Sequence, residues 1–333
     1  MKNISSFFRK LFQPQYLLIW ALVVLIAVLS AISPAFRTKE NIVEIFRSAG
    51  IYGIMVLGLT WIVALGEMDV TFPDIAAFGS MVVAFIVFKN LSWLLAIVLA
   101  IVISMLWGLL SGVLINVFKV RALIASVAVT TIAKSLAYVV GQGSPIYLNT
   151  IDPTVNFIVY GKIAGIPLLV ILVIIIYIIA AFLENRTKLG QYLYALGENR
   201  QAALEAGIPE KPIIYSFYIL SAALAAASGS LMVASYTSGQ PNFLGTYFVD
   251  GLTIVFLGAL VVKIGKPNVV GTLIGAVMIM VISNGSTLLG IPFYIGIILK
   301  GLLMVAGVAA ISASKSKSMK IAKAERLAMA KGE

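Results

Sequence analysis

The feature that most constrains this chain is a series of long apolar segments that recur along its length. Each crossing of a bilayer takes about 20 residues, because the hydrocarbon core is about 30 Å thick. Segments of this kind lie near residues 16–34, 46–65, 72–88, 92–117, 122–141, 166–183, 212–235, 248–262, 268–288 and 292–312. The sequence therefore predicts an all-α integral membrane protein with about ten transmembrane helices.

Composition supports this prediction and excludes several kinds of chemistry. The 333 residues are 61% hydrophobic and 11% charged, whereas soluble domains carry about 25% charged residues. So few charges cannot cover a soluble surface of this size. Cysteine and histidine are both absent, which excludes disulfides, Cys/His zinc sites, haem ligation, thiol nucleophiles and a histidine general base. We expect no resident metal or cofactor.

The distribution of basic residues predicts the topology. With ten spans and a cytoplasmic N-terminus, seventeen of the 24 lysines and arginines fall in cytoplasmic segments and five in outer ones, with Lys134 and Lys300 inside spans. The internal cytoplasmic segments would be 66–71, 118–121, 184–211 and 263–267. This bias follows the positive-inside rule and predicts that both termini are cytoplasmic. It also explains the net charge of +11 without a nucleic-acid partner.

The two ends of the chain complete the predicted organisation. The basic start, MKNISSFFRKLFQPQ, precedes an apolar run long enough to span and is followed by no clear cleavage site, so we predict an uncleaved first helix. We divide the chain into a polytopic permease domain, residues 1–312, and a basic cytoplasmic tail, residues 313–333. The tail either lies on anionic lipid as a surface helix or is solvated.

Glycines spaced for helix packing recur in the apolar segments. Gly108 and Gly112, and likewise Gly271 and Gly275, form GxxxG pairs. In lipid, small residues let helix backbones approach closely and make van der Waals contact. We interpret these pairs as packing positions.

No catalytic constellation is apparent. The phosphate-binding pattern GxxxxGK[ST] does not occur, and GQGSPI at residues 141–146 follows no strand of a dinucleotide-binding unit. Lys134 and Ser135 are adjacent on a predicted helix, so their side chains do not face each other. The sequence predicts that the chain is not an enzyme and moves a solute with energy from elsewhere.

Charges in or beside apolar spans are candidates for function, because a charge at the bilayer centre costs about 2.5–3.5 kcal/mol. Glu67, Asp69 and Asp74 surround Pro73 between the second and third spans. These acids either line a cavity as a gate or cap the third helix. For Lys134 we favour an interior ion pair over snorkelling.

Two further charges have simpler predicted roles. Asp250 lies at the predicted outer start of the eighth span, where N-capping would explain it. Lys300 lies within the tenth span and could pair with an interior acid, which the sequence does not identify.

The polar stretch GENRQAALEAGIP, residues 197–209, interrupts the chain between the sixth and seventh spans. Asn199 is suited to cap a helix over residues 200–206, and Gly207 is suited to the left-handed position that ends it. Pro209 stops the helix. A helix of two turns is marginal alone in water, so its neighbours must hold it. It is either an interfacial connector or a peg that fits a groove on another protein.

A resemblance to a known family favours the peg. The stretch from Lys188 to Pro241, beginning KLGQYLYALGENRQAALEAGIP, resembles the permeases of bacterial ATP-binding-cassette (ABC) importers for ribose and similar monosaccharides. The matching positions are Gly190, Tyr194, Ala195, Gly197, Asn199, Ala202, Ala203, Gly207, Ile208 and Ala227 to Gly229. Further similar stretches are SVAVTTIAKSLAYVVGQGSPI, VVGTLIGAVMIMVISNGSTLLGI and ILKGLLMVAGV.

The resemblance implies a multi-pass permease subunit of the bacterial inner membrane that imports a monosaccharide-like solute by alternating access. It implies four kinds of partner: a second permease copy or paralogue, a cytoplasmic ATPase dimer that binds ATP and Mg²⁺, an extracytoplasmic solute-binding protein and membrane lipid. The short helix would couple the permease to the ATPase. The residues implied in coupling are Gly197, Glu198, Asn199, Arg200, Ala202, Ala203, Leu204, Glu205, Gly207 and Ile208.

The candidate residues for the translocation pathway or its gate are Glu67, Asp69, Asp74, Lys134 and Asn284. The stretch from Gly66 to Pro73 departs from the family pattern Gly-Gly-Ile-Asp-Leu-Ser-Val-Gly, in which Gly66 and Asp69 alone keep their places. This departure leaves the identity of the solute undetermined. The same importer could carry a nucleoside, a branched-chain amino acid or a sugar-like signalling molecule. A different class of protein, a stand-alone secondary transporter, is a further alternative.

Overall fold

The structure is a computed structural model that describes residues 16–149, 152–309 and 312. The start of the chain and the basic tail predicted at 313–333 lie outside the described residues. The helices are α1 (Leu17–Ile32), a 3-10 helix (Pro34–Arg37), α2 (Lys39–Ala64), α3 (Phe72–Phe88), α4 (Trp93–Asn116), α5 (Ala122–Val140), α6 (Pro153–Tyr160), α7 (Leu168–Arg186), α8 (Lys188–Glu198), α9 (Arg200–Glu205), α10 (Glu210–Tyr236), α11 (Leu244–Gly258), α12 (Val269–Leu288) and α13 (Phe293–Ala309).

Four strands of two residues each accompany the helices. β1 (Ile146–Tyr147) pairs antiparallel with β4 (Ser238–Gly239), and β2 (Lys162–Ile163) pairs antiparallel with β3 (Ile166–Pro167).

The structure has a helix at each of the ten apolar segments. Six of the described helices are long and apolar enough to cross a membrane. They are α2, α4, α5, α7, α10 and α12. The helices α1, α3, α13 and the apolar part of α11 have 10–17 residues. The prediction of an all-α membrane fold is therefore confirmed, with the small strands added.

The core forms around α10, which packs against α2, α3 and α4. α12 packs against α2 and α11, and α5 packs against α3 and α4. Close backbone contacts make this packing possible. A Cβ built on Gly58 of α2 would lie 2.3 Å from the Cα of Ser221 on α10, and one on Gly108 of α4 would lie 2.2 Å from the backbone oxygen of Tyr218.

The predicted packing role of the GxxxG pairs is confirmed. Gly112 faces the ring of Tyr215 on α10, as Gly108 faces the α10 backbone. Gly271 and Gly275 of α12 both lie against the backbone of α11. Small residues therefore set the spacing of the central helices, as expected where lipid supplies no hydrophobic drive between them.

Several element boundaries differ from the prediction. α2 begins at Lys39 rather than near residue 46, because Thr38 caps it by accepting from the Asn41 N–H at 3.4 Å. α11 begins at Leu244, so Asp250 lies inside this helix and the predicted N-capping role of Asp250 is wrong. The helices α6 and α8 were not predicted. The apolar positions of α8 that are buried, Leu193 and Leu196, are the signal that indicates it.

The loops gather at two ends of the bundle. The α9 end contains residues 65–71, 117–121, 187–209 and 259–268. Ion pairs and hydrogen bonds join residues 187–209 to residues 65–71 and 259–268, and residues 119–121 line a cleft together with Glu67 and Arg200. The β end contains β1, β4 and α6, where the Tyr160 hydroxyl donates to the Ser235 carbonyl oxygen at 2.9 Å. The segments gathered at the α9 end are those that the basic residues predicted to share the cytoplasmic side.

Candidate functional site

The short helix α9 has the local structure that its sequence predicted. The Asn199 side chain accepts from the Ala202 N–H at 3.0 Å, which caps the first turn. Gly207 has φ +80°, the left-handed conformation that glycine adopts without steric cost. The Gly207 N–H donates to the Leu204 carbonyl at 2.9 Å and the Ile208 N–H to the Ala203 carbonyl at 3.0 Å. These two bonds form a Schellman motif that ends the helix.

Most of α9 faces away from the bundle. Ala203 is its one buried residue within the described chain, and Leu204 is 41% exposed. The Leu204 side chain is therefore available for contact with another molecule. The helix is therefore fixed at its ends and through Ala203, while most of its circumference is free.

The preceding helix, α8, attaches this region to the bundle. Gly197 lies so close to the end of α2 that a Cβ there would be 1.9 Å from the Ala64 carbonyl oxygen. The Tyr194 hydroxyl donates to the Pro267 carbonyl at 2.7 Å. Burial and the nearby Glu184 carboxylate raise the pKa of Tyr194, so the phenol keeps the proton that it donates.

Ion pairs join α9 and the end of α8 to three other segments of the chain. Arg200 Nη1 lies 2.8 Å from Glu67 Oε1, and Arg200 Nη2 contacts Glu210 Oε1. Lys266 Nζ contacts Glu198 Oε1. Partial burial lowers the pKa of Arg200, but the carboxylates of Glu210 and Glu67 outweigh it and raise that pKa. The site thus contains Lys266, which the sequence did not place there, and Glu210, which lies close to this stretch in the sequence.

A buried carboxylate fixes the start of α12 beside the same site. Glu184 is 3% exposed, and its Oε2 accepts from the Val269 N–H at 2.9 Å. The Lys263 ammonium lies 3.7 Å from the other oxygen of Glu184 and donates to the Asn185 side chain at 2.8 Å. Sequence reasoning missed this group, whose only signal is a glutamate directly after a long apolar run.

A cleft of about 390 Å³ lies beside α9 and reaches the loop between α4 and α5. Its polar lining includes Glu67, Asn116, Lys119, Arg121 and Arg200. The cleft therefore carries more positive than negative charge. It adjoins the exposed surface of α9 and extends that surface toward α5.

The structure does not bring the five pathway candidates together. Glu67 belongs to the α9 site, and Asp69, which is buried in the same loop, accepts from the Thr71 N–H at 2.9 Å. Burial raises the pKa of the Asp69 carboxyl. Asp74 is buried in the first turn of α3, where its Oδ2 accepts from the Thr130 hydroxyl at 3.0 Å.

The other two candidates lie elsewhere. Lys134 is half-buried on α5, and no carboxylate in the described part of the chain forms an ion pair with it, so the pairing that we favoured is not made within these residues. Asn284 of α12 exchanges two amide hydrogen bonds with Asn41 of α2, at 3.0 and 2.7 Å, near the β end.

The predicted pairing of Lys300 with an interior acid is confirmed. Lys300 Nζ donates to Asp250 Oδ2 at 2.8 Å, and the two side chains are 15% and 9% exposed. The pair links α13 to α11. Asp250 therefore balances the charge of Lys300 from within α11 and does not cap the start of that helix.

Comparison with known proteins identifies the family. The family model described as branched-chain amino acid transport system / permease component matches residues 41–308. The ribose import permease protein RbsC of Bacillus subtilis is 32% identical over 289 residues, which cover 86% of this chain and 89% of that protein. RbsC of Escherichia coli K12 is 30% identical over 290 residues, covering 86% and 90%.

More distant relatives carry similar names. The L-arabinose ABC transporter permease protein AraH of Azospirillum brasilense is 25% identical over 290 residues, covering 87% of this chain and 85% of that protein. No solved structure matches the chain. The chain belongs to the family of branched-chain amino acid transport system permease components, and it is a multi-pass inner-membrane permease of the ABC type rather than an enzyme.

Proposed function

We propose that this chain is the membrane subunit of an ATP-driven, binding-protein-dependent importer that moves a monosaccharide or a similar polar solute into the cytoplasm. The observation that carries the proposal is the similarity to ribose import permeases, which extends over 86% of this chain and 89% of the B. subtilis protein. A match over nearly the whole of both chains concerns the transmembrane body and not one shared segment.

The geometry of α9 supports its role as the coupling helix. It is a short, capped helix with one buried residue and an exposed leucine, joined by ion pairs to the α2–α3 loop and to α10. We propose that it docks into a cytoplasmic ATPase that binds ATP and Mg²⁺. Closure of the ATPases would then move α9 and rock the attached helices between inward-open and outward-open states.

We extend the proposal to the topology. The ten apolar helices would all cross the membrane, the α9 end and both termini would be cytoplasmic, and the β end would face outward. A cleft of about 570 Å³ near the β end has a lining that includes Lys39, Glu40, Arg47, Tyr160 and Lys162. This polar cleft is where we propose that the solute-binding protein docks.

Reconstituted transport tests the proposal. The permease would be co-expressed with a candidate ATPase and a candidate solute-binding protein, and placed in liposomes that contain ATP. We expect uptake of labelled ribose that requires ATP, the ATPase and the binding protein. Competition by unlabelled sugars, nucleosides and leucine would identify the solute class. Uptake by the permease alone, driven by an ion gradient, would show a secondary transporter instead.

The five candidate pathway residues remain part of the proposal. The variant Asp69→Asn distinguishes a role of the Asp69 charge in gating from a structural role of its hydrogen bond. The asparagine amide loses the charge but keeps an oxygen that can accept from the Thr71 N–H. We expect the variant to fold and to lose transport if the charge acts in the pathway. Uptake at the wild-type rate in the same liposomes would leave Asp69 with a structural role alone.

A further inference from the structure

Arg200 is the point at which α9 is joined to two separate parts of the bundle. Its guanidinium contacts Glu67 through Nη1 and Glu210 through Nη2. Glu67 lies on the loop between α2 and α3, and Glu210 opens α10, the central helix. We infer that this Arg200 clamp, formed by Arg200, Glu67 and Glu210, transmits movement between α9 and the transmembrane helices and does not contact the ATPase.

This inference rests on the proposed function and reassigns the charges around α9. Arg200 forms ion pairs with two carboxylates, and Glu198 forms an ion pair with Lys266. Glu205 accepts from the Gln201 side chain at 3.0 Å and forms no ion pair within the described chain. The exposed surface left for a partner is therefore mostly small or apolar, from Ala202 through Leu204 to Gly207.

The chemistry of arginine suits a clamp of this kind. The guanidinium is planar and presents several N–H donors in fixed directions, so one group can hold two carboxylates at the same time. Lysine carries its charge at a single point on a flexible stem. Arg200→Lys should therefore keep the charge but lose the fixed geometry between Glu67 and Glu210.

The exposure of the clamp separates transmission from folding. The Arg200 side chain is 50% exposed, whereas those of Glu67 and Glu210 are 19% and 17% exposed. The half-exposed guanidinium can be hydrated when Glu67 or Glu210 is replaced by glutamine, so these two variants should cost little overall stability. The attachment of α8 through Gly197 and Tyr194 does not depend on the clamp. Removing the clamp should therefore leave a folded permease whose α9 is loosely connected to α3 and α10.

The main test measures solute moved per ATP hydrolysed by the reconstituted complex. The variants are Arg200→Gln, Arg200→Lys, Glu67→Gln and Glu210→Gln, with Lys188→Gln as the control, because Lys188 is an exposed residue of α8 that forms no ion pair within the described chain. We expect the clamp variants to bind the ATPase and to hydrolyse ATP, while the ratio falls by roughly 5- to 150-fold, the usual range of coupling between sites. Lys188→Gln should keep the wild-type ratio.

A charge exchange adds a rescue. Arg200→Glu alone should uncouple the complex, and adding Glu67→Arg with Glu210→Gln should recover part of the ratio. If Arg200→Gln instead abolishes ATPase binding while Glu67→Gln and Glu210→Gln behave as wild type, Arg200 is a docking residue and the inference is wrong. It is also wrong if all the clamp variants keep the wild-type ratio.

A second measurement uses the purified permease without partners. Amide hydrogen exchange across residues 200–206 should accelerate in Arg200→Gln and Glu67→Gln but not in the control variant Lys188→Gln. Unchanged exchange in the clamp variants would contradict the clamp itself. If the wild-type complex shows no ATP-driven uptake, the proposed function fails, and the exchange result still decides whether the clamp holds α9.

Discussion

Two groups of ion pairs join distant parts of this chain, and they differ in their access to water. The Lys300–Asp250 pair lies inside the bundle, with both side chains at most 15% exposed and one partner each. The pairs made by Arg200 and by Lys266 at the α9 end are half-exposed on at least one side, and Arg200 shares its charge between two carboxylates. The same kind of interaction, an ion pair, is therefore found both inside the bundle and at its surface.

The difference in environment predicts a difference in role. A buried charge that loses its partner remains desolvated, so the inner pair is needed for stability once either member is present. A half-exposed charge that loses its partner is hydrated instead. The inner pair should therefore fix α13 against α11, whereas the pairs at the α9 end should position a helix without adding much stability.

The largest effect should come from breaking the inner pair. Lys300→Met leaves the Asp250 carboxylate without its cation, which we expect to lower the free energy of unfolding by about 3–5 kcal/mol. Unfolding by denaturing detergent in mixed micelles measures the change. Adding Asp250→Val should recover most of the loss, and Lys89→Met on an exposed lysine is the control. If Lys300→Met lowers the free energy of unfolding no more than Lys89→Met does, the inner pair is not needed for stability and the comparison between the two groups fails.

The second effect concerns packing at the α9 end. Gly197→Ala places a Cβ about where the Ala64 carbonyl oxygen lies, and overpacking of this kind costs about 1–3 kcal/mol. Gly301→Ala, at a helical position with no atom within 4 Å of the added carbon, is the control and should be neutral or stabilising. If both variants have the same free energy of unfolding, the close packing of Gly197 against Ala64 is not what holds α8 to α2.

A smaller effect should follow from the end of α9. Gly207→Ala meets no atom within 4 Å, so its cost is the left-handed backbone alone, about 1–2 kcal/mol. Gly207→Asn should cost less, because asparagine adopts this conformation more readily. Amide exchange of residues 200–206 reports the fraying. Equal exchange in both variants would show that the Schellman motif does not limit the helix.

The smallest effect should come from the exposed pair. Lys266→Gln removes the partner of Glu198, and the two side chains are 48% and 56% exposed. We expect a loss of about 0.2–1 kcal/mol in the unfolding measurement used for Lys300→Met. Raising the salt concentration should reduce this difference further. A loss as large as that of Lys300→Met would contradict the comparison between the two groups.

Local features of the candidate site were predictable because they depend on neighbours in sequence. The Asn199 cap and the Gly207 ending are set within a few residues, and both are confirmed. Helix α8 was missed because its apolar period is short and lies in a polar stretch. Asp250 was misplaced because the start of α11 was set four residues too late.

The sequence by itself determined the membrane class, the positions of the apolar helices and the short capped helix. These properties follow from the length of apolar runs, the sign of nearby charges and contacts within one or two turns. Only the tertiary structure decided that Arg200 meets Glu67, 133 residues away, and that Lys300 meets Asp250. Which charges pair depends on which helix ends pack together, and small residues spread over several helices set that packing.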